Sequence, residues 1–364
     1  MSNICILIEQ LNGGGAERSA AILSKMLTKL SYKVSIIVLF DDVGYEYDGE
    51  LINLGKHHNG ARNFKAKFSR YIVLKRIFEK RKFDLVLDYR MKNFTLREVL
   101  LNKFVLKASM INMVRSYQLD WYFPKPFALS KHLYKSYRGI NCVAFKIESL
   151  IKKKIGLKNV MTIPNPIDLE FVENQLSNKE NPLNFEYILA VGRHHPVKQF
   201  KELILAYLKT TLPKNEIKLV ILGNALEDQE LEQLVDKLNA KEHIVLQKFN
   251  ANPYIFYKYA QFLVLSSKSE GFPRVILESL ACKTPVVSFD CNSGPSEMIK
   301  HEENGLLVED QNFSALAQAI EKMHFNEDLR NYCRDNAKAS IQKFSMENIQ
   351  QKWKDYLDEI LNKA

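Results

Sequence analysis

Cysteine is sparse and badly placed for either metal or disulfide chemistry. The five residues, Cys5, Cys142, Cys282, Cys291 and Cys333, are scattered, and no two stand in Cys-x-x-Cys spacing. That argues against a zinc site and a disulfide framework, and it fits a reducing cytoplasm. Cys5 and Cys142 fall in apolar stretches and are expected in the core. Long apolar runs are also lacking: none approaches the ~18 residues that a membrane span needs. The first residues lack a charged segment followed by an extended apolar one, so the expectation is a protein neither secreted nor integral. Gly-x-Gly-x-x-Gly is missing, and no acidic residue closes the second apolar run in a clear ribose-binding manner, which disfavours a dinucleotide site. His194 and His195 lack a partner at ligand spacing, so no metal is expected. The basic charge comes without a recognised nucleic-acid motif.

What is present is charge, unevenly spread. The chain of 364 residues carries +10 overall. Residues 1–178 hold 29 Lys+Arg against 16 Asp+Glu, and residues 179–364 hold 23 against 26. A basic first half suggests an anionic partner there: a membrane surface, a lipid phosphate or a nucleic acid, the last disfavoured as above. The length suits two domains with a core each.

Both halves alternate short apolar runs with helical periodicity, which predicts doubly wound α/β domains. In the first half, residues 3–9 (NICILIE) read as a buried strand. The turn Gly13-Gly14-Gly15 follows, and then a helix with Ala16, Ala20, Leu23, Leu27 and Leu30 at helical spacing. Such a turn lets a phosphate or sugar approach backbone N–H groups at a helix start, although three glycines alone are a weak signal. Arg62, Lys65, Lys67, Arg70, Lys75 and Arg76 crowd the segment 62–82, where Phe64, Phe68, Tyr71 and Phe78 form a rough apolar stripe. This is either a core-packed helix with a solvated charged face or a basic helix near an anionic membrane or a pyrophosphate. Strands at 83–88 and 108–114 end in loops holding Arg90, Lys92, Arg115 and Tyr117. If the sheet is parallel, these share an edge with the glycine turn and line a cleft. Residues 121–127 (WYFPKPF) are either a packed loop or a patch touching lipid or acceptor.

In the second half, strands are expected at 186–191, 217–222, 244–246, 262–265 and 285–289. Arg193 and Lys198 flank the first strand-to-helix turn, a good place for two cations to grip a diphosphate; a solvated pair is the alternative. Glu270 lies on the loop after the fourth strand, and Glu278 on the helix that begins near Pro273. Two such carboxylates can converge on one ligand beyond the carboxyl ends of parallel strands, or they are surface charges. The final segment carries Ile349, Trp353, Tyr356 and Ile360 at helical spacing.

The order GGGAER, PNPID, GR with a Lys five residues on, EGFPRVILES, SGPSEMI and NGLLV resembles the retaining glycosyltransferases of family 4, across nearly the whole chain. The EGF-x5-E pattern is the most specific of these marks. The opening resembles members that move galactose or N-acetylhexosamine onto lipid-linked glycans. The resemblance implies an α/β GT-B fold, with two Rossmann-like domains facing across a cleft. The implied parts are an acceptor domain at 1–168, a linker at 169–184, a nucleotide-sugar domain at 185–344 and a helix at 345–364 returning to the first domain. It further implies a UDP-sugar donor, with Arg193 and Lys198 on the diphosphate, Glu278 on the ribose and Glu270 on the donor sugar. Gly14 and Gly15 would face the phosphate. Gly223, Lys248, Phe249, Gly271, Phe272 and Pro273 would complete the donor site, with 245–249 along the uracil edge. Arg18, Arg90, Lys92, Arg115 and Tyr117 are acceptor-side candidates. Arg62, Lys65, Lys67, Arg70, Lys75 and Arg76 are candidates for contact with membrane or pyrophosphate. The implied partners are a lipid-linked glycan and an anionic membrane surface, with no cofactor and no metal. The implied location is the inner face of the cell membrane. One departure stands out: relatives place a histidine in the first-domain loop where this chain has Arg115-Ser116-Tyr117, and none lies between His58 and His132. A transferase acting on a soluble acceptor, or a silent nucleotide-sugar-binding protein, is the alternative reading.

Overall fold

The computed structural model describes residues 1–56, 64–177, 180–223 and 229–362, with the backbone alone for 64–68. The chain forms two compact units. One is Met1–Asn165 with Ile349–Ala364, the other Pro166–Asn348.

The first unit holds a parallel sheet of β1 (Asn3–Ile8), β2 (Lys33–Val38), β3 (Glu50–Asn53), β4 (Leu85–Asp88), β5 (Met110–Val114), β6 (Gly139–Cys142) and β7 (Val160–Thr162). The strand order is β3-β2-β1-β4-β5-β6-β7. Its central strands are near-continuous apolar runs, as a sheet covered on both faces requires. The edge strand β3 escapes sequence reading. Glu50–Asn53 is short, its residues are half-exposed or exposed, and only pairing with β2 reveals it.

The second unit repeats the design with β8 (Tyr187–Val191), β9 (Lys218–Leu222), β10 (Ile244–Gln247), β11 (Leu263–Leu265), β12 (Val286–Phe289) and β13 (Gly305–Val308). These lie in the order β10-β9-β8-β11-β12-β13, all parallel. Ile188, Leu219, Val264 and Val287 meet Leu203, Ile204, Leu316 and Ile320 in its core.

Strand order reverses between β1 and β4 in the first sheet and between β8 and β11 in the second. Neighbouring strands at such a switch send their following helices to opposite faces, which opens a crevice at their carboxyl ends. The Gly13–Gly15 turn and the 89–94 loop stand at the first switch, and the Gly192–Lys198 and Ser266–Pro273 loops at the second.

Residues 169–184, expected as a linker, begin instead with the helix Leu169–Leu176. Asp168 caps it by accepting the Phe171 N–H at 2.9 Å, which satisfies a donor that the first turn leaves open. The Phe171 ring meets Tyr254 edge-on at 6.0 Å, so the helix belongs to the second unit; among the described residues that follow it, Ser177 and 180–186 carry no helix or strand. The last helix, Met346–Asn362, buries Ile349, Trp353, Tyr356 and Ile360. From Ile349 onward it belongs to the first unit, where Tyr32 donates to Asp358 at 3.3 Å.

Candidate active site

The second switch point assembles the motif residues. After β8 the chain runs through Gly192 and Arg193 into a tight turn, Pro196–Lys198, in which the His195 ring accepts the Val197 N–H at 3.2 Å. The loop after β11 is tied to that turn. Lys268 N–H donates to Val197 O at 2.8 Å, and Ser266 Oγ donates to Lys198 O at 2.8 Å. These bonds bring Lys198 Nζ to 2.6 Å from Glu270 Oε1, with both side chains mostly buried. The Lys198 stem lies over Gly192. Arg193, on the same turn, is exposed.

Close backbone approach shapes the floor. A Cβ on Gly223 would stand 1.8 Å from Gly192 O, so the ends of β9 and β8 touch and exclude any side chain there. On the other side, Gly294 adopts φ +99°, a region glycine enters freely, and a Cβ would strike Pro273 Cδ at 2.4 Å. The buried Ser293 donates to Gly271 O at 2.6 Å and approaches Glu270 O at 3.3 Å. The Glu270–Pro273 loop is therefore held by its own backbone carbonyls, and the Glu270 carboxylate is left to Lys198.

Glu278 sits on the helix Arg274–Ala281, whose first turn follows Pro273. It is buried, not a surface charge. Tyr257 Oη donates to it at 3.3 Å, and Arg274 Nε lies 3.8 Å away. Burial first, and then the Glu278 charge, push the Tyr257 hydroxyl well above its ordinary pKa, so it stays a donor. Phe272 is buried, its ring edge-on to Phe344 at 5.3 Å. Lys248 and Phe249, after β10, are exposed. Neither Tyr257 nor Ser266 carries a sequence signal; both emerge only when distant segments meet.

In the first unit, Gly14 caps the helix Gly15–Lys29, and the Glu17 carboxylate folds back beside it, 2.2 Å from where a Cβ would stand. Arg18 follows on that helix, half-buried. Arg90 and Lys92 correct the expectation of cations lining an open edge. They are 2 % and 0 % exposed. Arg90 grips Asp88 through Nε and Nη2 at 2.9 and 2.8 Å and reaches Glu98 at 3.3 Å. Lys92 Nζ lies 3.3 Å from Asp88 and donates to Arg90 O at 2.9 Å. Buried charges must be paired, and Asp88 and Glu98 supply the pairing. Burial alone would raise Asp88, but the Arg90 and Lys92 charges outweigh it and hold the carboxyl low. Arg115 donates to Asn141 Oδ1, and its guanidinium lies 5.0 Å from the Tyr89 ring centre. Tyr117 is half-buried beside it.

Arg70 is a second correction. It is buried, donates to Leu39 O at 3.0 Å and stacks over Phe40, so it faces the fold. Lys75 and Arg76 are exposed, and Lys75 pairs with Glu79 at 3.7 Å. Arg62 and the side chains of Lys65 and Lys67 lie outside the described residues. All five cysteines are buried and free of disulfides. Burial pushes Cys142 and Cys291 up to about 12, so neither is a nucleophile. Among the described residues, no group of three or more His, Cys, Asp or Glu is placed to hold a metal ion, and no helix is long and apolar enough to cross a membrane.

Comparison with known proteins meets this geometry. The model of glycosyl transferases group 1 matches residues 172–340, and that of Glycosyltransferase Family 4 matches residues 13–171. The chain belongs to the family 4 glycosyltransferases, with the GT-B fold. One relative is the N-acetylgalactosamine-N,N'-diacetylbacillosaminyl-diphospho-undecaprenol 4-alpha-N-acetylgalactosaminyltransferase of Campylobacter jejuni, 29 % identical over 96 % of this chain and 97 % of its own. Another from that organism, the GalNAc-alpha-(1->4)-GalNAc-alpha-(1->3)-diNAcBac-PP-undecaprenol alpha-1,4-N-acetyl-D-galactosaminyltransferase, is 26 % identical over 100 % of both. Among solved structures, Anabaena HepE in complex with UDP superposes with a TM-score of 0.79 at 18 % identity, over 99 % of this chain and 100 % of that one.

Proposed function

We propose that this glycosyltransferase moves a hexose or N-acetylhexosamine, of the Gal, GalNAc or GlcNAc class, from a UDP-sugar to a hydroxyl of a polyprenyl-pyrophosphate-linked glycan, with retention at the anomeric carbon. The observation that carries the reading is the Lys198–Glu270 pair, 2.6 Å apart at the second switch point. A cation and a carboxylate side by side match the two ends of the bond to be broken. Lys198 and Arg193 take the diphosphate, and Glu270 takes hydroxyls of the sugar. The Gly192–Gly223 contact keeps side chains off the floor, so a phosphate can approach backbone there. Glu278, buried against Tyr257, accepts from the ribose hydroxyls. As the bond to UDP breaks, negative charge grows on the β-phosphate, and cations already in place stabilise it without reorganisation. The acceptor hydroxyl attacks from the same face and passes its proton to the departing phosphate. Two side-chain cations supply that charge without a metal, so chelation by EDTA is expected to leave the rate unchanged.

The membrane-borne acceptor follows from likeness to the two Campylobacter enzymes and from the basic first half. Both support a location at the inner face of the membrane. The test is UDP release with lipid-linked and soluble acceptors for wild type, Lys198→Ala and Glu270→Ala. The expected result is release stimulated by the lipid-linked acceptor and reduced about 10²-fold or more in each variant, in line with the loss of one preorganised charge. Equal, slow release by all three proteins with every acceptor would refute the enzyme reading. Stimulation by soluble acceptors alone would refute the acceptor.

A further inference from the structure

The helix Thr95–Phe104 of the first unit turns an apolar stripe outward. Leu96 is 73 % exposed, Leu100 47 % and Phe104 52 %. Four-residue spacing puts the three on one side, while Glu98 and Leu101 are buried on the other. Phe94, at the N-cap, is 63 % exposed and Trp121 40 %. Trp121 is brought to the helix start by backbone pairing: Lys92 N–H donates to Trp121 O at 2.6 Å, and Thr95 Oγ1 to Lys125 O at 2.8 Å. Of the aromatic stretch 121–127, Tyr122 and Phe123 are core and Trp121 is not. Single exposed apolar residues are ordinary on a protein surface; a contiguous patch marks an interaction site.

The rim is cationic. Arg97 lies 5.3 Å from the Phe94 ring centre and Lys103 5.4 Å from that of Phe104. Lys107 and Lys125 are exposed beside them. Between residues 89 and 107 the one carboxylate is Glu98, buried and paired with Arg90 and Arg97. Asp120 pairs with Lys125 at 2.5 Å. Apolar side chains framed by cations, with an indole at the margin, match the boundary between headgroups and acyl chains of an anionic bilayer. A second copy of the chain would set the same cations against each other.

We infer that the helix Thr95–Phe104, with Phe94 and Trp121, is the surface by which this protein lies in an anionic membrane interface. This deepens the proposed function by naming where a lipid-borne acceptor is met, and it moves the contact away from the basic helix Phe64–Arg81, whose Arg70 points inward. Long apolar side chains carry the insertion and lysines the attraction.

Flotation with vesicles of phosphatidylglycerol and phosphatidylcholine, or of phosphatidylcholine alone, tests it. Wild type is expected on the anionic vesicles, with a blue-shifted emission from Trp121, since Trp353 is already buried. Leu96→Ser/Leu100→Ser/Phe104→Ser is expected to lose binding at least ~10-fold while keeping its thermal midpoint and its transfer to a water-soluble, short-chain acceptor analogue. Lys103→Gln/Lys107→Gln should lose about 10-fold and flatten the salt response, whereas Lys75→Gln/Arg76→Gln should bind as wild type does. Undiminished binding by the triple variant, loss confined to the Lys75/Arg76 pair, or no binding by wild type would each overturn the inference. So would a dimer in solution that the triple variant dissolves. Vesicle binding through this helix by a wild type that glycosylates no lipid-linked acceptor would leave the surface standing and remove the acceptor.

Discussion

Gly223 shows how much one missing carbon decides. A Cβ there would sit 1.8 Å from Gly192 O, a backbone atom that cannot swing away. Gly223→Ala must part the ends of β8 and β9, at a cost of ~1–3 kcal/mol. The expected outcome is a lower melting temperature together with loss of donor-induced stabilisation, read by thermal denaturation with and without UDP-sugar. Ser293 acts on the same loop more gently. Its hydroxyl holds Gly271 O at 2.6 Å, and Ser293→Ala removes a hydrogen bond worth ~1 kcal/mol. Because the loop then loses its register with Lys198, the donor KM should rise more than kcat falls. Ser293 stands in a motif visible in the sequence and Gly223 just past an expected strand, but the reason each is serine or glycine is not. It lies in contacts with segments 31 and 22 positions away.

At the scale of the element, the end of β4 carries the clearest reversal. Arg90 and Lys92 read as open cations because a loop rich in basic residues is ordinarily solvated. Asp88 precedes them in the strand and Glu98 follows in the next helix, and only the fold turns both acids onto the cations. Asp88 is held below its unfolded pKa of about 4, so its contribution to stability is present above that pH and is lost as pH falls below it. Asp88→Asn leaves two cations under-paired in the interior, a loss of ~3–5 kcal/mol. Denaturant unfolding from pH 7 to pH 3 should show wild type losing stability below pH ~4 while the variant, already weakened, changes less. The helix Thr95–Phe104 was not singled out in the sequence, and nothing there marked it as a surface. Leucine and phenylalanine are core by default, and exposure belongs to the packing.

For the whole molecule, a bound donor is the simplest global probe. Ligand at ~100 times its Kd stabilises the native state by ~2.7 kcal/mol. A screen of UDP-Gal, UDP-GalNAc and UDP-GlcNAc should therefore raise the melting temperature for one of them, and Lys198→Ala should abolish the shift. No rise with any UDP-sugar would count against the proposed donor class. The return of the chain at Ile349 to the unit that begins at Met1 ties the two ends of the sequence into one folded body. The apolar spacing of Ile349, Trp353, Tyr356 and Ile360 announces a buried helix face, but not which unit buries it.

The sequence by itself determined the alternation of apolar runs and helices, the two α/β units, the loops that carry Arg193, Lys198 and Glu270, and the helix that carries Glu278. Period and apolarity are local properties, readable one window at a time, and the spacing of glycine, lysine and glutamate follows from strand-to-helix turns. Only the tertiary structure decided which charges are inside and which apolar residues are outside. It set Lys198 at 2.6 Å from Glu270, buried Arg90, Lys92 and Arg70, and left Leu96, Leu100 and Phe104 uncovered. Burial is a property of what lies opposite. Residues distant in sequence supply it, and no local pattern records their arrival.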